Sequence, residues 1–384
     1  MRRREFIAAA AAGIAGASLP EFVFAAPGAG YRGLLVLVEL KGGNDGLNTV
    51  VPYADPAYVR LRPRIAIARE EVLALDELQG LHPALAALLP LWRSGELAVV
   101  QGVGYADPNF SHFRSIEIWD TASAAHQTLD EGWLARAFAA APVPAGFAAD
   151  GAVIGGLGNG PLAGSRSIAF ANPEQFLRQA RLAKPRRASG SAALEHVLKV
   201  ESDIALAASR LTGGSLPMEG FPGGELGNAL RVAAQVLAGG AKLAAIKVSL
   251  NGFDTHQNQP GVHANLLRQF GESVAAFRQG LQRLGQWDET LLMTYAEFGR
   301  RPGENGSMGT DHGTASVHFV AGGRVKGGLY GEAPQLDQLD NGNLRHAVDF
   351  RNLYATALDS WWGLDATRAL GGRFAPLPLI RGGA

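Results

Sequence analysis

GLLVLVELKGGNDGLN, residues 33–48, is an aliphatic run that stops abruptly at small and polar residues. Gly33 to Leu40 is Leu and Val almost without interruption, which suits a strand buried on both faces of a parallel sheet better than a half-exposed one. Polar residues just past such a strand lie on the edge where open α/β sheets bind ligands. Asp45 is therefore a candidate site residue. Its local alternative is a plain turn, since Asn44-Asp45-Gly46 is a strong turn signal by itself.

The same pattern recurs outward from this stretch. Glu96 to Val103 reads as a strand, and the loop after it leads to Ser111 at a helix start. Leu243 to Leu250 is followed at once by Asn251-Gly252-Phe253-Asp254-Thr255-His256. Leu291 to Ala296 delivers Glu297, Arg300 and Arg301, then a Gly-rich loop ending in Asp311-His312. Ser316 to Ala321 is one more strand, and helical spacing covers Leu226–Leu237, Ala264–Leu284 and Phe350–Trp361. Strands alternating with helices imply an α/β fold, a mainly parallel sheet between two helical layers. One domain over residues 30–384 accounts for this. Residues 141–224, rich in Gly, Pro and Ala, read as a crossover with a surface insertion capping the site, with short strands at Ala152–Gly155 and Ser167–Phe170, a basic segment at 178–187 and a helix at 192–211.

Residues 1–26 have a basic start with paired arginines next to Phe6-Ile7, an Ala-rich apolar middle and small residues before Pro27, the make-up of a cleaved twin-arginine export signal. This predicts use of the twin-arginine export machinery and a periplasmic or extracellular location. No later stretch is long and apolar enough to span a bilayer. The 35 Lys and Arg residues balance 35 Asp and Glu, and losing the leader barely changes that, so net charge gives no case for nucleic acid. Cysteine is absent, which removes thiolate metal sites, iron–sulfur clusters and covalent c-type haem. Any metal must be held by oxygen and nitrogen.

Asp45, Ser111, Asp254 with His256, and Asp311 with His312 all follow strand candidates, so a doubly wound sheet would bring them to one edge. Carboxylate, imidazole and hydroxyl in that supply fit two divalent ions about 4 Å apart, one activating a nucleophile and both clamping an anion. Ser111 reads as a helix N-cap or as a cap-positioned nucleophile. Arg300, Arg301 or Lys326 could neutralise an anion's oxygens, and Glu297 could be a ligand or an orienter. His82, His126, His196 and His263 read as surface or capping residues. A mononuclear iron oxygenase would present His-x-Asp/Glu, the reverse of Asp254-Thr255-His256.

The motifs GGNDGLNTVVP (42–52), SHFRSIEIWDTA (111–122), FDTHQNQ (253–259), YAEFGRRPGENGSMGTDHG (295–313), GGRVKGG (322–328) and DFRNLYA (349–355), behind a twin-arginine leader, resemble the bacterial family catalogued as domain of unknown function 1501. That family is grouped with the alkaline phosphatase and sulfatase superfamily. The resemblance implies a three-layer α/β/α fold with two metal ions at the strand ends. It implies Asp45 as the early Asp, Ser111 as the nucleophile, Asp311-His312 as the late Asp-His pair, and Asp254 with His256 as another ligand pair. The pair at 254 and 256 is Asp-x-His where the superfamily has Asp-x-x-x-His. A later His ligand falls to His318, on an expected strand, or His346.

The expectation is an exported, metal-dependent hydrolase using Zn, Mn, Mg or Ca on a phosphate ester, or less readily a sulfate ester, of an anionic small molecule or envelope polymer. The alternative is a non-catalytic periplasmic binding or scaffold protein that keeps the fold.

Overall fold

The structure is a computed structural model that describes residues 30–156, 158–171 and 219–382. The expected leader, the basic segment 178–187, the helix 192–211 and His196 lie outside the described residues.

In chain order the strands are β1 Leu34–Lys41, β2 Val50–Val51, β3 Leu73–Ala74, β4 Gly80–Leu81, β5 Leu97–Gly104 and β6 Ala149–Ile154. They continue with β7 Ser167–Phe170, β8 Leu243–Asn251, β9 Thr290–Tyr295, β10 Ser316–Ala321, β11 Gly328–Gly331 and β12 Val348–Asp349. The main sheet has nine strands in the order β11-β5-β10-β9-β1-β8-β6-β7, with β12 also on β5, while β2, β4 and β3 form a small separate sheet. Every pairing in the main sheet is parallel except the two made by β10.

β1 shows why the sheet sits between two helical layers. Leu34, Val36, Val38 and Leu40 belong to one apolar cluster, which Leu230, Leu267, Phe270 and Phe277 fill from the helices Glu225–Ala238 and Gln259–Arg283. Leu35 and Leu37 belong to the other, which Ile118, Trp119, Trp133 and Tyr354 fill from the helices His112–Thr121, Trp133–Ala140 and Phe350–Ala355. Alternate side chains of one strand thus feed two dry cores, and the continuous aliphatic run is their sequence signature. The α/β/α sandwich with a mainly parallel sheet agrees with the sequence reading. Within residues 141–224, β6 and β7 extend the central sheet itself.

β10 is the element whose direction matters for the site. Being antiparallel, it begins at the edge where β5, β9, β1 and β8 end, so the residues just before it join the strand-end loops. Residues in its middle are carried away from that edge and into the sheet.

Candidate metal centre

Loops leaving β5, β8 and β9 meet at one point. The first ends in His112, opening the helix His112–Thr121. The second carries Asp254 and His256, and the third carries Glu297 and runs on to Asp311 and His312. His112, Asp254 and His312 offer ligand atoms that all lie within 4.8 Å of one another. His256 joins them, its Nε2 lying 3.0 Å from Asp254 Oδ1 and 3.0 Å from His312 Nε2. His312 Nε2 is 3.2 Å from Asp254 Oδ1, and His112 Nε2 is 3.4 Å from Asp254 Oδ2. Ligands held at about 2.0–2.1 Å in a tetrahedron stand about 3.3 Å apart, and the separations of Asp254 from His112, His256 and His312 are of that size.

The far side of each ring is held as well. His112 Nδ1 lies 2.8 Å from Glu297 Oε1, His312 Nδ1 lies 2.8 Å from the Phe110 carbonyl, and His256 Nδ1 lies 3.3 Å from Asp311 Oδ1. These oxygens accept, so each Nδ1 carries a proton, and in the neutral ring each Nε2 has its lone pair turned to the centre. Oxygen partners of this kind are the usual outer shell of metal-ligating imidazoles. Glu297 is itself fixed by the Gly42 amide, which donates to both its oxygens at 3.0 and 3.1 Å.

The electrostatics follow from these contacts. Burial pushes the Asp254 carboxyl up, but the hydrogen bond and charge of Arg300, with His312 and His112, hold it down at about 2. The hydrogen bond from His112 to Glu297 raises the His112 pKa, and burial lowers that of His312.

The structure gathers some of the residues singled out in the sequence and not others. Asp254, His256 and His312 stand in the cluster. Asp311 sits one step back, accepting from His256 and from Asn305 Nδ2 at 3.1 Å. Asp45 stands outside it. Its two oxygens receive Arg62 Nη1 at 2.6 Å, Arg62 Nη2 at 3.0 Å, the Leu47 amide at 3.2 Å and the Gln259 amide group, which uses the roughly four acceptor sites a carboxylate has. It caps a short helix and neutralises a buried arginine. His318 is also outside. The reversed β10 places it within the sheet, against the Trp119 ring at 5.1 Å, where burial holds its pKa down at about 3.

Arg300 is not free to meet an anion. Fully buried, it donates to Gly43 O and Thr310 O at 2.8 Å, to Gly42 O, to Phe253 O at 3.1 Å and to Asp254 Oδ1 at 2.6 Å, and so stitches three loops together and positions Asp254. Ser111 is exposed, its side chain makes no capping bond, and its amide donates to Asn109 Oδ1 at 2.8 Å. His112 is not among the residues that the strand-end pattern singles out, where the candidate is the neighbouring hydroxyl of Ser111. The available signal was an imidazole opening a helix directly after a strand-end loop.

An α/β/α protein with a three-histidine, one-aspartate candidate metal site on the C-terminal edge of its sheet is the class that fold and site define. The chain belongs to the DUF1501 family, described as a protein of unknown function, whose sequence profile matches residues 99–374. No curated protein matches the chain. Among solved structures it is similar to the phosphonate monoester hydrolase SpPMH from Silicibacter pomeroyi, at 12% identity over 88% of this chain and 75% of that one, with a TM-score of 0.44. It is also similar to a protein in the alkaline phosphatase superfamily from Vibrio parahaemolyticus, at 12% identity over 90% and 71%, TM-score 0.40. A third is the C-terminal periplasmic domain of EcEptC from Escherichia coli in complex with Zn, at 12% identity over 76% and 73%, TM-score 0.36.

Proposed function

We propose that the chain is an exported hydrolase of phosphate esters, or less readily sulfate esters, that depends on a divalent cation held by His112, Asp254, His256 and His312. One observation carries the cation. His256 and His312 face each other Nε2 to Nε2 at 3.0 Å while an oxygen acceptor holds each Nδ1 proton, so in two neutral rings two lone pairs would meet, beside a carboxylate already paired with Arg300. Such a contact needs a shared proton or a bound cation between the rings, and the neighbouring His112 and Asp254 favour the cation by completing a ligand set of nitrogen and oxygen that suits Zn or Mn. The cluster supports one ion rather than the two expected from the sequence, since the carboxylate of Asp45 is consumed by Arg62 and Asp311 backs a histidine.

A divalent ion there would supply Lewis acidity to an ester oxygen and lower the pKa of nearby water. Three neutral imidazoles and one carboxylate leave such a site with a net positive charge, which favours an anionic substrate. Asp254, held down at about 2, stays ionised around neutral pH. Ser111 is the candidate nucleophile, because its hydroxyl is not spent on the helix and it immediately precedes a ligand. A non-catalytic binding role is the second reading, favoured by the engagement of Arg300 and Asp45, which leaves neither to hold a transferred group.

The test is metal analysis of the exported protein, followed by assay of nitrophenyl phosphate and sulfate esters with Zn, Mn, Mg or Ca. About one equivalent of metal and ester turnover are expected, with Asp254→Asn losing both and Ser111→Ala losing turnover but keeping the metal. Metal without turnover of any ester, or a metal-free protein that folds normally, would favour the binding reading and overturn the hydrolase.

A further inference from the structure

A second pocket lies between the sheet edge and the strap 332–347, and β5 explains how it arises. β10 pairs Ser316 with Val103 but His318 with Val100, so β5 carries one extra residue at Gln101-Gly102. Gly102 has φ +65°, a left-handed conformation that glycine tolerates, and such a bulge re-aims the neighbouring side chain. The strap leaves from Gly331, in register with Gln101, and returns where the Ala347 amide donates to the Gly102 carbonyl at 2.8 Å. Pinned at both ends to adjacent residues of β5, the segment between must bow outward. Beneath it is a cavity of about 200 Å³, walled on the protein side by Leu47, Val50 and Val317 and rimmed by Glu332 and Arg345.

Gln101 lines this cavity and is only 5% exposed, and its carboxamide makes no hydrogen bond to any other described residue while staying in reach of solvent through the cavity. An amide that spends neither its donors nor its acceptor on the rest of the protein is available to whatever enters the cavity. We infer that this cavity is a binding site, separate from the metal centre, for a small aliphatic molecule carrying a carboxamide-type group that pairs with Gln101. A planar group that both donates and accepts satisfies both ends of the Gln101 side chain, while Leu47, Val50 and Val317 receive a short branched body. Glu332 and Arg345 stay at the mouth, in water.

Ligand-observed saturation-transfer NMR on the whole chain tests this, with isobutyramide and its isostere 3-methylbutan-2-one, which can only accept. Isobutyramide should bind with a Kd in the millimolar range, about tenfold tighter than the ketone, as a fragment that completes two hydrogen bonds would. Gln101→Leu should abolish that preference and leave a fold that melts no lower than the parent. Gln101→Asn, which retracts the amide by one methylene, should weaken the amide selectively and guards against misfolding of the first variant. No saturation of isobutyramide by the parent chain would overturn the proposal, leaving a solvent-filled cavity. So would equal binding of amide and ketone, or an undiminished preference in either variant.

Discussion

Glu297 holds His112 through Oε1 and is itself held by the Gly42 amide, so one buried carboxylate ties β9, the end of β1 and the helix start into a fixed geometry. Replacing it with Gln keeps the shape but loses the charge that raises His112 and fixes its tautomer. Outer-shell changes of this kind cost about 10–100-fold in metal affinity. Glu297→Gln should therefore weaken Zn binding by about that factor in competition with a chelating dye, with the melting temperature of the metal-free protein little changed. An unaltered affinity would remove Glu297 from the site. The contrast with Asp45 shows what the sequence could and could not give at this scale. Asp254 and His256 stand just past β8 and His312 at the end of the loop that leaves β9, so the strand pattern alone marks them as candidates. Asp45 met the same criterion, but its partner Arg62 lies in a connection with no periodic signal, and no local pattern shows which cation will claim a carboxylate. His318 was misplaced because strand direction is set by long-range pairing.

The elements themselves were read well where the hydrophobic pattern is strong. β1, β8, β9 and β10 fall within a residue or so of their expected limits, and the layers follow from β1 alone. Direction and loop contact were not legible, and the loop contacts make the site. The segments around 256 and 308 are laced by Asn258 N to Ser307 O at 3.0 Å, Gln259 N to Met308 O at 2.9 Å and Thr310 N to Thr255 O at 3.1 Å. They touch at Gly309, where an added Cβ would lie 2.2 Å from the His256 carbonyl carbon. Such a contact between two backbones cannot be relieved by a rotamer change, so the loops must part. Gly309→Ala should lower both the melting temperature and metal affinity, the latter by about tenfold or more because His256 moves with its backbone. Gly303→Ala, where a Cβ meets nothing within 4 Å, should change neither. Equal metal affinity in the two variants would mean that the loop contact does not set the position of His256.

Across the whole molecule, burial of histidine governs how the protein tolerates acid. His263 and His318 are held down at about 3 and His82 at about 4, in each case chiefly by burial. An unfolded histidine takes its proton near pH 6.5, so below that pH the unfolded chain binds protons that the folded one refuses, and stability falls with pH. Asp120 opposes this. Burial, with Glu39 adding to it and Lys247 working against it, raises its carboxyl to about 7, so the folded state takes up a proton before the unfolded one does. The two perturbed cluster histidines pull in opposite directions, His112 upward and His312 downward. Asp45 and Asp254 are depressed, and their contribution is lost only at more acid pH, below the ordinary carboxylate range. Between pH 6.5 and 5 the net difference grows from under one proton to roughly two, which amounts to about 3 kcal/mol over the interval. Against a typical total of about 5–15 kcal/mol, that is a large share. His318→Phe isolates one of these protons, because it keeps the ring against Trp119 and removes a buried Nε2 that has no partner among the described residues. Urea unfolding of the metal-free protein at pH 7.5 and pH 5 should show the variant losing about half as much stability as the parent over that range. An equal loss would mean that His318 takes its proton in the folded state, and that the sheet is not dry where β10 crosses it.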